Sequence, residues 1–494
     1  MPLGGEPPRR RLCARVPIST VLVAALLVGV YLFVQDGLTA WTAPISIPYR
    51  AWGYQHLRGM LIAPFAHISP GHLTGNLVGL VVFGTLLEAT VGHYPTHRGA
   101  VSFQTLQQNP WIRAVLVGPA VIVLVGIGLS LIALGPVIGF SSVVFWLMGV
   151  LVVLRPILAV IGLLITDAVR VTYLAVVAPV ASVTAGAQFV TPWFAEIALQ
   201  AHAVGLLIGV LTGIAIRSRG HITADAPASY VGAGVVLMGI DRGLWAVFFY
   251  EGGGTYVLYR ALGVVLVATM ALVVAAAVRG DPRAQALAVT IAIALAGVAV
   301  PYNVVPPAAA EGTDRSLGVG SYSVSYGESV PDRSVDRIPI RVGPLSTAVT
   351  TSGVIVTDRA NGIWTTAVSA DELAFEQRAQ IPLAVDGQRV QVKVVTDRWQ
   401  VLGNDSAYRV RTTAPSSVPL FESPMSTAAP RIADQRITLV PTPEGFDVRS
   451  GGQTRRLPAV NETVQVGAVV LRTQEQQVVA EAPGVEVVVF TRAS

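Results

Sequence analysis

The sequence predicts a polytopic α-helical membrane protein of nine helices, followed by a C-terminal all-β domain outside the membrane. Three observations carry this prediction. The mean hydropathy is +0.61, with 52% of residues apolar. Before about residue 305 the apolar residues gather in windows of about 20, the length a helix needs to cross the hydrocarbon core. From Pro306-Pro307 onward short runs of Val, Ile and Thr are punctuated by Gly, Pro, Ser and Asp, the pattern of short strands and turns.

Taken in order, the apolar windows fall near 17–36, 72–91, 112–134, 138–155, 157–179, 195–216, 230–249, 257–278 and 284–304. Arg9, Arg10, Arg11 and Arg15 precede the first window. It is long for a signal-peptide core and no clear small-residue cleavage site follows, so it reads as a retained first helix. Cytoplasmic loops collect Arg and Lys, which places the N-terminus inside. Alternation then puts Arg98, Arg113, Arg155, Arg217, Arg219, Arg279 and Arg283 inside as well. Only Arg50, Arg58 and Arg260 land on or near the outside. Nine spans fit, and an odd count sends the rest of the chain out of the cell. The expected location is the cell membrane, with a cytoplasmic N-terminus and an extracellular C-terminal domain.

Charge follows the same division. Residues 1–310 hold 16 Arg against nine acidic residues, a balance of +7; residues 311–494 balance at −2. The basic excess belongs to the membrane half, where it sets orientation, and gives no reason to expect nucleic acid as a partner. Cys13 is the single cysteine, which excludes an internal disulfide and a cysteine-rich metal site. No cofactor or metal is expected. Two charged pairs fall inside apolar windows, Asp167 with Arg170 and Asp241 with Arg242. Charges at that depth need partners, so pairing within or between helices is expected.

In the last third, strands are expected at Gly353–Thr357, Ile363–Val368, Arg389–Val395, Tyr408–Thr412, Val464–Leu471 and Val485–Phe490, forming an antiparallel sandwich or barrel. Asn404-Asp405-Ser406 and Asn461-Glu462-Thr463 match the glycosylation sequon, a weak sign of an external location. This region has no His or Cys and no phosphate loop, so a binding or shielding module is expected.

The chemistry lies at one depth in three helices that all run inward. His72 and Asn76, four apart, share a face near the start of the second span. Ser141 opens the fourth. His202 stands about 10 Å along the sixth if that helix starts near Ala195. Polar residues isolated inside apolar helices are costly and mark function. Ser141 needs a base to become a nucleophile, and His202 is the candidate. The Ser141 backbone N–H, the His72 imidazole and the Asn76 amide can serve a developing oxyanion. No carboxylate shares this level: Glu88 is near the inner end of its helix and Glu196 about 9 Å nearer the outer surface than His202. The expectation is therefore a Ser–His dyad. Gly205 and Gly209 permit a close approach of the sixth helix to the stripe Ser141, Phe145 and Gly149.

These residues resemble the rhomboid family of intramembrane serine proteases. The matching positions are His67, His72 and Asn76, then Gly139 and Ser141, then His202, Gly205 and Gly209. Arg58, Glu88 and Gly92 also resemble family positions. Ser142 departs from the usual glycine after the nucleophile, and Phe145 stands where a tyrosine often stacks on the histidine. The resemblance covers about residues 17–217. It implies a six-helix core over 1–217; outside it, the apolar windows and strand pattern lead us to expect three further helices over 218–305 and an extracellular β-rich domain over 306–494. It implies an intramembrane endopeptidase whose partners are transmembrane protein substrates and the lipid bilayer, the oligomeric state being left open. The segment Ile45–Pro64, with Tyr49, Trp52, Tyr54 and Arg58, would lie partly in the membrane beside the site. Two other readings compete: a non-catalytic rhomboid-like protein that binds transmembrane helices, and a transporter using the Asp/Arg pairs. Against the latter counts the absence of repeated broken helices.

Overall fold

The computed structural model describes residues 16–91, 110–177, 179–180, 192–219, 226–252, 255–308, 315–338, 341–342, 345–346, 348–403 and 405–492. Expectations resting on Arg9, Arg10, Arg11, Arg15, Gly92, Arg98 and Asn404 lie outside these residues. The chain divides into two units. One joins Met1–Pro307 with Ser334–Val349, the other Ala308–Arg333 with Thr350–Ser494. The stretch Ser334–Val349, expected among the strands from its place in the sequence, belongs to the helical unit. Arg337 shows why: it is buried, donates to the Trp52 carbonyl and lies 4.7 Å over the Tyr302 ring.

Among the described residues of the helical unit, six helices are long and apolar enough to cross a membrane by length and composition. They are α2 (Pro70–Val91), α3 (Arg113–Leu131), α5 (Pro156–Val177), α6 (Leu199–Ser218), α8 (Arg260–Val278) and α9 (Pro282–Val304). Three shorter apolar helices are also present among the described residues: α1 (Ile18–Val34), α4 (Ser141–Leu154) and α7 (Ala228–Asp241). Large apolar side chains such as Leu124, Leu164, Leu272 and Ile293 face outward. A surface of that kind is suited to lipid and would drive aggregation in water. The protein is a multi-pass membrane protein.

α4 is the centre. It is apolar on every side, the mark of a fully surrounded helix, and eleven of its 14 residues are buried. α6 lies against it with almost no side chain between the backbones. A Cβ on Gly205 would stand 2.3 Å from the Ser142 carbonyl oxygen, one on Gly209 2.2 Å from that of Trp146, and one on Gly149 2.3 Å from that of Leu206. Only hydrogen fits at these three positions.

Two element boundaries differ from expectation. The seventh helix stops at Asp241, not near 249, because Gly243 turns the chain with φ +75°; a hairpin of Phe248–Gly252 with Thr255–Leu258 follows. The sixth helix starts at Leu199, after a single 3-10 turn at Trp193–Glu196. His202 is thus in the first turn of α6.

The second unit is built of antiparallel sheets. One has the order Ser316–Val319, Tyr322–Pro331, Thr350–Asp358, Ile363–Ser369. The largest runs Pro419–Glu422, Asp405–Ala414, Gln388–Val401, Val485–Arg492, Gln477–Ala482, Val469–Gln474, Thr463–Val466, and Arg378–Val385 also pairs with Gln388–Val401. The single strand expected at Val464–Leu471 is two, joined by a turn at Gly467 with φ +64°. Trp399, Leu439, Val448, Leu471 and Phe490 fill its core.

Candidate active site

The site begins with two helix starts. Ser69 caps α2, its hydroxyl accepting from the His72 N–H at 3.2 Å, and Pro70 takes the first helical position, where a missing N–H costs nothing. This fixes His72 and Asn76 one turn apart near the start of the helix. α4 begins at Ser141, two residues after Gly139 at φ +115°. Gly139 is required twice over. Its backbone lies in the left-handed region, and a Cβ there would stand 2.5 Å from Cε1 of His72, 2.6 Å from its Nε2 and 3.4 Å from Nδ2 of Asn76. The turn into the serine helix therefore packs directly on the two polar side chains of α2.

From the other side comes α6. Nε2 of His202 and Oγ of Ser141 are 2.7 Å apart, hydrogen-bond distance. The Phe145 ring, one turn after Ser141, stacks on the His202 imidazole with centroids 4.5 Å apart and planes at 18°. Stacking holds the ring plane, and it needs no phenolic hydroxyl. Ser142 borders a small cavity between Ala63-Pro64 and α3, so its side chain leaves the Ser141–His202 contact intact.

Ser141, His202, His72 and Asn76 are thus gathered in one place. His202 and Asn76 are buried, and the Nδ1 atoms of His202 and His72 and Nδ2 of Asn76 have no hydrogen-bond partner among the described residues. His67, also buried, meets the His72 ring edge-on at 5.1 Å. Glu88 is elsewhere: its carboxylate accepts from the Thr20 backbone N–H at 2.6 Å and from the Thr20 hydroxyl at 3.0 Å. An anion there suits the start of α1, where helix N–H groups are unpaired. Of the intramembrane charges, Asp167 pairs across helices with Arg242 and not with Arg170, for which no ion pair is seen among the described residues. Arg242, immediately after α7, reaches Asp167 of α5 at 3.4 Å and its neighbour Asp241 at 2.9 Å, and it donates to the Thr166 hydroxyl.

Sequence reasoning missed the residues that hold the loops around this centre. The Gln35 side chain, fully buried after α1, accepts from the His67 N–H at 2.8 Å and donates to the carbonyls of His67 at 2.7 Å and Ile45 at 2.9 Å. Gln200, two residues before His202, donates to the carbonyls of Ile132 at 3.0 Å and Leu295 at 2.8 Å and accepts from the Leu134 N–H at 2.9 Å. A lone amide inside an apolar stretch was the available signal.

Comparison with known proteins adds one finding. Residues 54–219 match the rhomboid domain family, a range that contains all four gathered residues. No curated protein and no solved structure gives a match.

Proposed function

We propose that this chain, which carries a rhomboid domain, is a working intramembrane serine endopeptidase that cuts transmembrane or membrane-adjacent segments of other proteins. One observation carries the reading: the 2.7 Å approach of Ser141 Oγ to His202 Nε2 inside an apolar bundle. In this reading Nε2 accepts the hydroxyl proton as Oγ attacks the scissile carbonyl carbon. The carbonyl oxygen becomes an oxyanion facing the Ser141 N–H, the Asn76 amide and the His72 imidazole. The Asn76 Nδ2 and His72 Nδ1 groups, unpaired beforehand, need break no hydrogen bond to receive it, which is the source of their effect on rate. The imidazolium then protonates the leaving amine, the C–N bond breaks, and an acyl ester remains on Ser141. Water repeats the sequence with His202 as base, releasing the carboxylate and the free serine. Among the described residues no carboxylate pairs with Nδ1 of His202, and its ring is oriented by Phe145 instead.

The non-catalytic reading has no observation in its favour: neither Ser142 nor Phe145 disturbs the dyad distance. Against transport through the charged residues stands the engagement of both Asp167 and Asp241 by Arg242. The reading retains nine spans, a protease core over 1–217, three added helices over 218–305 and a C-terminal β-rich region outside the cell that screens or holds substrates. A serine-directed fluorophosphonate decides on the chemistry. It should label the purified protein at Ser141 and leave Ser141→Ala unlabelled; an unlabelled wild-type chain would overturn the assignment.

A further inference from the structure

We propose that the C-terminal end of α9, through Asn303 and with Arg337 behind it, is a positioning clamp for the Ser141 nucleophile. This inference rests on the reading of Ser141 given above. Its observation is different, because Asn303 and Arg337 lie outside the matched range 54–219.

The loop between α3 and α4 carries the nucleophile into place. It has no regular ladder of its own, so the buried carbonyls and N–H groups it does not pair internally need outside partners. The partners can be named in chain order. The Leu131 carbonyl accepts from the Tyr54 hydroxyl at 2.9 Å. Those of Leu131 and Ala133 accept from Nδ2 of Asn303, at 3.5 and 2.9 Å. Gln200 holds Ile132 and Leu134. The Val137 carbonyl accepts from the Ala51 N–H at 2.9 Å, and the Gly139 N–H donates to the Ala63 carbonyl at 2.9 Å. Two residues later comes Ser141.

Asn303 is the one side chain in that series from α9, and it is 0% exposed. Its orientation follows from its surroundings: both neighbours are carbonyl oxygens, which only accept, so the amide nitrogen must face them. The same residue grips the opposite segment. The Tyr54 N–H donates to the Asn303 carbonyl at 2.9 Å, and the Gln55 side chain donates to the Val304 carbonyl. A Cβ on Gly53 would stand 2.9 Å from the Asn303 carbonyl oxygen, so the two backbones touch. Arg337 closes the arrangement from behind. Its guanidinium donates to the Trp52 carbonyl and stacks 4.7 Å over Tyr302, whose hydroxyl donates to the Ser334 carbonyl. The end of α9 is thereby wedged between segment 52–55 and loop 131–133, and the chain next to each is joined by the bridge of Ala51 with Val137.

Asn303 touches no reacting atom. Its effect reaches Ser141 through the loop, and a misplacement of about 1 Å at a reacting centre costs about 100-fold in rate. Fluorophosphonate labelling of the full-length protein in detergent separates position from folding, since the end point counts folded sites and the rate constant reports their geometry. Asn303→Leu keeps the volume and removes both donors. It should label to the wild-type end point with a rate constant lower by about 10- to 100-fold, and kcat on a transmembrane substrate should fall while KM holds. Wild-type labelling with an equal rate in Asn303→Leu would overturn the clamp and leave the dyad reading intact. Absence of labelling in the wild type would instead strike the dyad reading itself. If Asn303→Leu fails to reach the end point, Arg337→Met decides. A slowed rate at full end point supports the clamp; an unchanged rate, or a lost end point here too, makes these residues structural and overturns it.

Discussion

Replacing Gly205 by alanine tests whether backbone contact between α4 and α6 sets the distance of the dyad. The added Cβ would stand 2.3 Å from the Ser142 carbonyl oxygen, whereas ordinary contact begins at 3.4 Å. The obstacle is backbone and cannot rotate away, so α6 must retreat by about 1 Å, at a cost of about 1–3 kcal/mol in stability. His202 is three residues earlier on the same rigid helix. Carried back by that amount, its Nε2 moves from 2.7 Å to about 3.7 Å from Ser141 Oγ, past the ~3.2 Å reach of a general base. A loss of about 100-fold in kcat follows, equivalent to about 2.7 kcal/mol. The assay is cleavage of a transmembrane substrate in proteoliposomes, with fluorophosphonate labelling rates in parallel. Gly128→Ala is the control: a Cβ there meets nothing within 4 Å, so activity should hold and helix propensity should add about 1 kcal/mol. Wild-type turnover in Gly205→Ala would refute the argument that helix contact fixes the dyad.

Three further outcomes are expected. Ser141→Ala and His202→Ala should each abolish cleavage with normal membrane insertion, and the double variant should be hardly worse than either, because nucleophile and base act as a unit; cleavage assays on the three proteins check this. Asn76→Ala should lower kcat by about 2–4 kcal/mol in barrier while KM stays, the signature of a lost oxyanion donor; a change in KM alone would make Asn76 a packing residue. Protease added to intact cells should digest the region after about residue 311 and spare the loop around Arg98, and a C-terminal region protected until the membrane is broken would mean an even number of spans.

The helices and the gathered residues were legible because both signals are local. Apolar runs of membrane length announce α2, α3, α5, α6, α8 and α9, and His72, Asn76, Ser141 and His202 stand out as polar residues at helix starts. What was not legible depends on partners far along the chain. Gln35 acts on the backbone of His67, and Asn303 on that of Ala133, 170 positions away. An amide facing a carbonyl leaves no motif, since any residue supplies the carbonyl. Boundaries failed for a related reason. Trp245, Val247 and Phe248 are apolar enough to prolong α7, yet the left-handed Gly243 has already turned the chain. Likewise Val464–Leu471 alternates like one strand, and the positive φ of Gly467 folds it in two.

The contact between Asp167 and Arg242 bears on how much α5 can move. Arg242 keeps Asp241 as a second partner, but Asp167 of α5 has its ion pair with Arg242 alone among the pairs seen here. Drawing α5 away from α7 would take that carboxylate from its present partner while it stays in hydrocarbon, a loss bounded by about 3 kcal/mol on insertion scales. At that bound such a separated arrangement would be visited by fewer than about one molecule in a hundred at any instant. A substrate helix entering between α5 and α7 would therefore wait on a rare state, and its capture rate would be multiplied by that small fraction. Entry by a path that leaves the pair closed carries no such factor.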